Sequence, residues 1–509
     1  MRGNLLLVFT LLCGFSLLAQ RQADNIINGD CFQNPEIGNC DPPNANSVYR
    51  FNDSTLEEII EPLDLSLSTD YSRAAYSDSA GNLAFASNGW RLVNNSGVVL
   101  SEKLWFDWIP HPGDSPETTN VLNSLGPLFL NDPGNEDRAY LFYGQFRSGN
   151  FGPEILKADV VFTYAYLDVP NRALISQNNL VLTDTSVSGD MQACRHANGR
   201  DWWLIKPGIY EDEYYIGLLS PAGISEMEKI TIPGINHRGQ FETYSYFSFD
   251  GLKFLHFTGK RYKYLHEYDF DRCSGTLSNA IVHDLTDSIP WGDHNACTIS
   301  SDGSKFYIRR SLSSAMNLDY ALLQYDLSNS TWTNISSELT ASPQMAPNGK
   351  EIILASFIYL PDTTLATISR ILHPNLPGLA CEIEFHTDTI QNYNSFISPS
   401  NFANFRLGPI DGSSCDTLGI NSTGKIQTAS KDLSVFPNPA KDMLHVRLKN
   451  HSDKSELIIR NIQGALIYSS EFYLSEYINL EQLNIGAGLY FIEVRTGSES
   501  FRERFIYAR

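Results

Sequence analysis

Three small groups of side chains in this 509-residue sequence have types and spacings that could do chemistry. Trp202-Trp203 offers two aromatic faces on which a sugar could stack. Successive strand residues face opposite sides, so at most one of the two could line a site, and burial of both is the expectation. His196 follows Cys194 by two residues, and His294 precedes Cys297 by three. Each precedes a glycine turn, and a role repeated in that way points to support of the turn more than to a base or a ligand. Asp269, Asp271 and Asp326 could hold Ca²⁺ together with backbone oxygens, but exposed turn carboxylates are the commoner case.

Larger signatures are absent. There is no GxSxG elbow, Walker A loop, GxGxxG after a strand, or EF-hand loop, and no CxxC, HExxH or His/Cys cluster at ligand spacing. "SSDGSKF", around Asp302 and Gly303, reads as a hairpin turn. No catalytic, cofactor-binding or metal-binding residue is therefore assigned, and no cofactor is expected.

The elements around these residues must be exported ones. Met1-Arg2-Gly3-Asn4, the apolar run Leu5 to Leu18 and a small residue at the exit predict a secretory signal peptide over 1–20. The run is shorter than the 20 or so apolar residues that span a bilayer, and no later segment is apolar enough. A formal charge of -21 and pI near 4.9 exclude a phosphate-binding surface as the main business of the chain. Export makes cysteines disulfide candidates first. Cys31 and Cys40 bracket the turn "FQNPEIGN" and form the expected pair. The five others, Cys194, Cys273, Cys297, Cys381 and Cys415, cannot all pair, and an unpaired one should be buried.

From about residue 46 to 420 one pattern returns: a turn ending in glycine, then an apolar or aromatic strand. It appears at Gly81, Gly134, Gly199, Gly251, Gly303 and Gly349, at intervals of 53, 65, 52, 52 and 46 residues. Asp-Gly and Asn-Gly supply the positive φ that tight hairpins need. Helical periodicity is nearly absent, and "STLEEIIEPLDL" near residue 60 is the one short helix expected. Fifty residues hold four strands with loops, the size of a propeller blade; sandwich domains need about 100 each and α-solenoids need helices. The expected fold is all-β, a six- or seven-bladed β-propeller over 46–420 after an N-terminal segment at 21–45. "HANGRDWWLI", "YDFDRCSGTLS" and "FRLGPIDGSSCDTLG" resemble segments of the WD40-like propellers of surface and secreted proteins of the Bacteroidota. That resemblance covers most of 70–420 and concerns blade architecture, with no shared catalytic residue to carry over.

The polar linker "NSTGKIQTASKD" at 421–432 then leads into a fresh strand pattern. "LHVRL" alternates, "ELIIRNIQGALIYSS" reads as a hairpin, and two further strands complete a small Ig-like β-sandwich over 433–509. Pro437-Asn438-Pro439 with Lys441, Asn461 and Gly464 in the hairpin, and Gly486, Gly488 and Tyr490 before the penultimate strand resemble the type A sorting domain of the type IX secretion system. The resemblance implies the secretion machinery as a partner, passage across the outer membrane, and an extracellular or surface-attached product. Two functions remain: a binding or scaffold propeller for an extracellular protein or glycan, or alternatively a secreted hydrolase or lyase acting on extracellular polysaccharide. Inward carboxylates with raised pKa values would favour the second.

Overall fold

The computed structural model describes strands at residues 25–28, 47–51 and 56–59, then most of 74–416 and 433–508; its main interruptions are 105–125, 150–157, 233–242, 289–296, 312–319, 391–400 and 417–432. The Cys31 and Cys40 pair, the leader, His294, Pro437-Asn438-Pro439 and Gly464 lie outside the described residues. The chain divides into two compact units, 1–417 and 418–509.

The first unit is a β-propeller. Six antiparallel sheets follow in order along the sequence, spanning 74–101, 128–186, 192–231, 243–284, 297–336 and 340–390. Five contain four strands; the 192–231 sheet has five, because Glu228–Thr231 adds to Glu213–Ser220. A three-stranded sheet at 25–59 precedes them. First strands meet first strands: Asn25–Asn28 lies against Ala74–Ser77, which lies against Leu128–Asp132, and Gln192–Arg195, Thr243–Phe247, Cys297–Ile299 and Thr340–Met345 form a second such series. Sheets that touch through their innermost strands radiate as blades.

The blades adhere through apolar faces that no sheet can bury alone. Leu255, Phe257 and Leu265 of one sheet join Phe306, Ile308 and Leu323 of the next in one buried cluster, with the Phe257 and Phe306 rings 5.1 Å apart. Burying each such side chain contributes about 1.5–3 kcal/mol.

The turn after the first strand repeats almost bond for bond. Gly199, Gly251, Gly303 and Gly349 donate their N–H groups to His196, Ser248, Ser300 and Ala346 carbonyls at 2.8–2.9 Å. At two of these turns a serine hydroxyl donates to the aspartate two residues on, Ser248 to Asp250 and Ser300 to Asp302, each at 2.6 Å. All four glycines, and Gly81, have φ between 67° and 82°. Gly134 departs from the pattern: it sits in the two-residue turn between the paired Asp132 and Asn135 and is not in the positive-φ region. A β-carbon there would stand 3.0 Å from Pro221 Cα.

Two other expectations are corrected. Leu56–Ile59 is a strand, not part of a helix, and pairs with Ser47–Phe51 through Phe51↔Leu56 and Val48↔Ile59. A β-partner a few residues upstream outweighs the weak helix preference of "LEEI". The stretch "FRLGPIDGSSCDTLG" supplies no blade strand: residues 401–416 run as turns and irregular chain.

The second unit is a β-sandwich with its own core. Leu433–Phe436, Met443–Leu448 and Ser475–Asn479 make a three-stranded sheet; Leu466–Phe472, Ser455–Asn461, Gly488–Thr496 and Glu499–Tyr507 make a four-stranded one. Leu444, Val446, Leu457, Ile459, Ile492, Val494 and Phe505 lie buried between them.

Candidate functional site: the strapped end of the channel

Residues 401–416 form a strap across the propeller end that carries the repeated turns. Asn401 accepts from Gln192 Nε2 at 2.9 Å and donates to Met191 O at 3.1 Å. Asn404 Nδ2 donates to Phe249 O at 2.6 Å, and Ile410 N–H donates to Ala197 O at 2.9 Å. Phe405 packs edge-on to Trp202 and to Tyr76, with centroids 5.1 and 6.1 Å away. A Cys273–Cys415 disulfide, Cα–Cα 5.6 Å, ties down the far end. This pair lies 142 residues apart in sequence.

Arg272 is the keystone between strap and blades. Its Nε donates to Arg195 O at 2.8 Å and its Nη2 to Gly408 O at 2.5 Å. Close approach is possible because two turns have no side chain. A β-carbon on Gly199 would meet Pro409 at 2.6 Å, and one on Gly251 would meet Cys194 Sγ at 2.7 Å and Leu407 at 2.8 Å.

Beneath the strap is a cavity of about 90 Å³, lined by the first strands and turns of four successive blades together with Asn401, Phe402, Asn404 and Leu407. Its polar groups are amides and hydroxyls: Gln192, Ser248, Thr298, Ser300, Ser301 and Gln344. Most are already engaged, as Thr298 Oγ1 accepts from Met345 N–H at 3.3 Å and Ser301 donates to Asn375 at 3.1 Å. Cys194 in the lining is a buried thiol pushed up to about 12 by desolvation. Such a space suits several waters or a small neutral group.

The chemistry-bearing residues named from sequence take structural posts. Trp202 is fully buried and lies under the Arg195 guanidinium, 3.8 Å from the ring centroid. Trp203 differs from the expectation of burial: it is half-buried, donates to Arg272 O at 2.8 Å and covers Gly275, where a β-carbon would strike its ring at 2.7 Å. His196 accepts the Asn198 N–H at Nδ1, 3.0 Å, and turns Nε2 toward Cys273 O at 3.1 Å. It holds a turn. Asp269 accepts from Asn279 across a strand pair, Asp271 from the Cys273 N–H and Ser274, and Asp326 from Ser328, so the three carboxylates serve separate local contacts. Cys194, Cys297 and Cys381 are buried and form no disulfide.

Among the described residues, carboxylates whose ionisation the surroundings move are moved down. Hydrogen bonds from Cys273 and Ser274 lower Asp271. Burial works against ionised Glu267 and Asp326, but His283 and Lys253 outweigh it at Glu267, and Ser328 and Lys305 at Asp326. These groups are held as anions, not poised as acids.

In the sorting unit, Lys441 is exposed, and Asn461 accepts the Ala465 N–H on its side chain at 2.9 Å, closing the hairpin. Tyr490 is buried, stacks on Phe505 at 5.6 Å and donates to Gly486 O at 2.7 Å. Gly486 and Gly488 face open space. The strap and its disulfide were missed in sequence; their signal was "GPIDGSSC", a turn-rich run with no strand of its own.

Fold and motifs together define an all-β propeller carrying a C-terminal sandwich. Residues 434–508 match the secretion system C-terminal sorting domain, so the chain carries a type IX sorting domain, which marks it for secretion across the outer membrane. No curated protein matches. Among solved structures the chain is similar to the periplasmic gluconolactonase of Pseudomonas aeruginosa, at 15% identity over 74% of this chain and 97% of that one, TM-score 0.39. It is similar also to TolB of Acinetobacter baumannii, at 14% identity over 68% and 77%, TM-score 0.28. The β-propeller domain of the Trilobed protease of Pyrococcus furiosus matches at 9% identity over 75% and 91%, TM-score 0.28. No described helix is long and apolar enough to cross a membrane.

Proposed function

We propose that the protein is an extracellular or surface-attached binding propeller, exported by the leader at 1–20, displayed as the 46–420 unit, and delivered by the 433–509 domain across the 421–432 linker. The observation that carries this reading is the make-up of the strapped channel end. Among the described residues it is lined by amides, hydroxyls, aromatic rings, a thiol and aliphatic side chains, with no carboxylate or histidine. A glycan hydrolase needs a protonated carboxyl near the scissile bond, which burial or a like charge must raise. The carboxylates moved by their surroundings, Asp78, Asp168, Glu267, Asp271, Asp302 and Asp326, all go the other way. The partner is an extracellular protein or glycan met by blade loops.

The purified, exported protein should be titrated against a panel of extracellular polysaccharides and cell-surface proteins, with mass spectrometry of the recovered ligand. Saturable binding with the ligand returned intact is the expected result. Time-dependent cleavage or elimination of any glycan by the pure protein would replace this reading with the hydrolase or lyase one.

A further inference from the structure

We propose that the outward face of the three-stranded sheet in the sorting domain is the surface that the secretion machinery recognises; this rests on the sorting-domain reading above. The partner it fits is a receptor of that machinery with an apolar groove and acidic or neutral margins. Along Met443–Leu448, Leu444, Val446 and Leu448 turn into the core while Met443, His445 and Arg447 turn out. Register places Phe436 opposite His445, and His445 opposite Tyr477. The three rings form a continuous strip across all three strands. Phe436 meets His445 edge-on at 4.6 Å, and His445 stacks on Tyr477 at 4.0 Å, within 4° of parallel.

This strip faces water. Phe436 is 48% exposed, Tyr477 66% and the adjoining Met443 42%. Half of the exposed large hydrophobic residues, 8 of 16 among those described, belong to the smaller unit, a concentration that marks a surface with a partner. Its charge points the same way. The outward positions beside the rings are Ser434, Arg447, Ser475 and Asn479, with no carboxylate, on a chain of net charge -21. Glu476 turns to the other side, where the Tyr468 hydroxyl donates to it at 2.7 Å. The location agrees too. In sequence Phe436 immediately precedes Pro437-Asn438-Pro439, and the exposed Lys441 stands two residues before Met443, so the strip's residues flank the opening part of the sorting motif.

A second apolar patch, Leu466, Leu489, Phe491 and Ile506, lies on the four-stranded sheet. There Arg460 and Arg504 flank Phe491 on the neighbouring strands and interrupt it. It serves as an internal control.

The test uses the full chain in its secreting host, with surface, medium and periplasmic fractions measured. Phe436→Ser with Tyr477→Ser should cut the exported fraction at least tenfold and leave the chain in the periplasm, with the sorting-domain melting transition retained. Ser475→Glu, which adds a carboxylate to the margin and removes no packing, should lower export in the same direction. Leu466→Ser with Phe491→Ser should export like the parent. If the strip variants are exported normally while a chain ending at Asp432 stays in the periplasm, the surface assignment is overturned and the sorting reading stands. Equal loss from the control pair overturns the assignment as well. Export of the chain ending at Asp432 would instead remove the sorting reading itself.

Discussion

Replacing both Cys273 and Cys415 by serine releases the strap from its covalent tether while leaving its hydrogen bonds to Arg272, Phe249 and Ala197. The bond closes a loop of 142 residues. Chain entropy for a loop of that length gives a ceiling of about 5 kcal/mol, and native disulfides commonly contribute about 2–4. An unfolding entropy near 2.1 cal/mol/K per residue amounts to roughly 0.8 kcal/mol/K for a unit of about 400 residues, so the loss corresponds to a fall in Tm of about 2–6 °C. Differential scanning calorimetry of the uncleaved protein reads this directly. The propeller transition should drop by that amount in the double variant and, equally, in the parent treated with a thiol-free reductant. The sorting-domain transition should not move, since its core includes neither cysteine. A reduced parent that melts like the oxidised one, or a sorting transition that shifts along with the propeller, would refute the reasoning.

Two further outcomes follow from single turns and one buried ring. Gly349→Ala forces an L-residue to φ 67° and sets its β-carbon 2.5 Å from the Phe249 ring, so it should cost more than the about 1–2 kcal/mol of left-handed strain alone; Gly303→Ala, whose nearest neighbour is at 3.2 Å, should stay near that figure, and urea midpoints for the two compare them. Buried His256 is held well below its usual pKa by desolvation, then by His266 and Lys206, with Tyr214 bonded to its Nδ1 at 3.0 Å. A depressed histidine leaves the unfolded chain binding the extra proton, so stability should fall as pH drops below about 6.5, and His256→Gln should flatten that fall between pH 7 and 5; equal slopes in parent and variant would contradict it.

The parts of the fold that were legible are the local ones. Gly251, Gly303 and Gly349 announce their turns because the turn bonds run between residues three and five apart, Ser248 to Gly251 and Ser248 to Lys253, within one short window. The alternation in "LHVRL" names a half-buried strand for the same reason. What was hidden depends on distance along the chain. Leu56–Ile59 has a helix-like composition, and only its pairing with Ser47–Phe51 makes it a strand. The strap was folded into the blade pattern because its anchors, Gln192, Ala197, Phe249 and Cys273, come from sheets far upstream. Of the site, sequence named His196, Trp202 and Trp203 but not what they hold: a turn, a stacked arginine and a glycine with no room for a side chain. The turn and the stacked arginine lie within one hairpin, whereas Trp203 over Gly275 is a contact between blades, which no single segment encodes.

The central claim, an exported propeller addressed by its C-terminal domain, is tested most directly by comparing the full chain with one that ends at Asp432. Both should show the same propeller melting transition. The full chain should appear at the cell surface or in the medium, and the shortened chain should accumulate, folded, in the periplasm. A shortened chain found outside the cell at the parent's level would contradict the account.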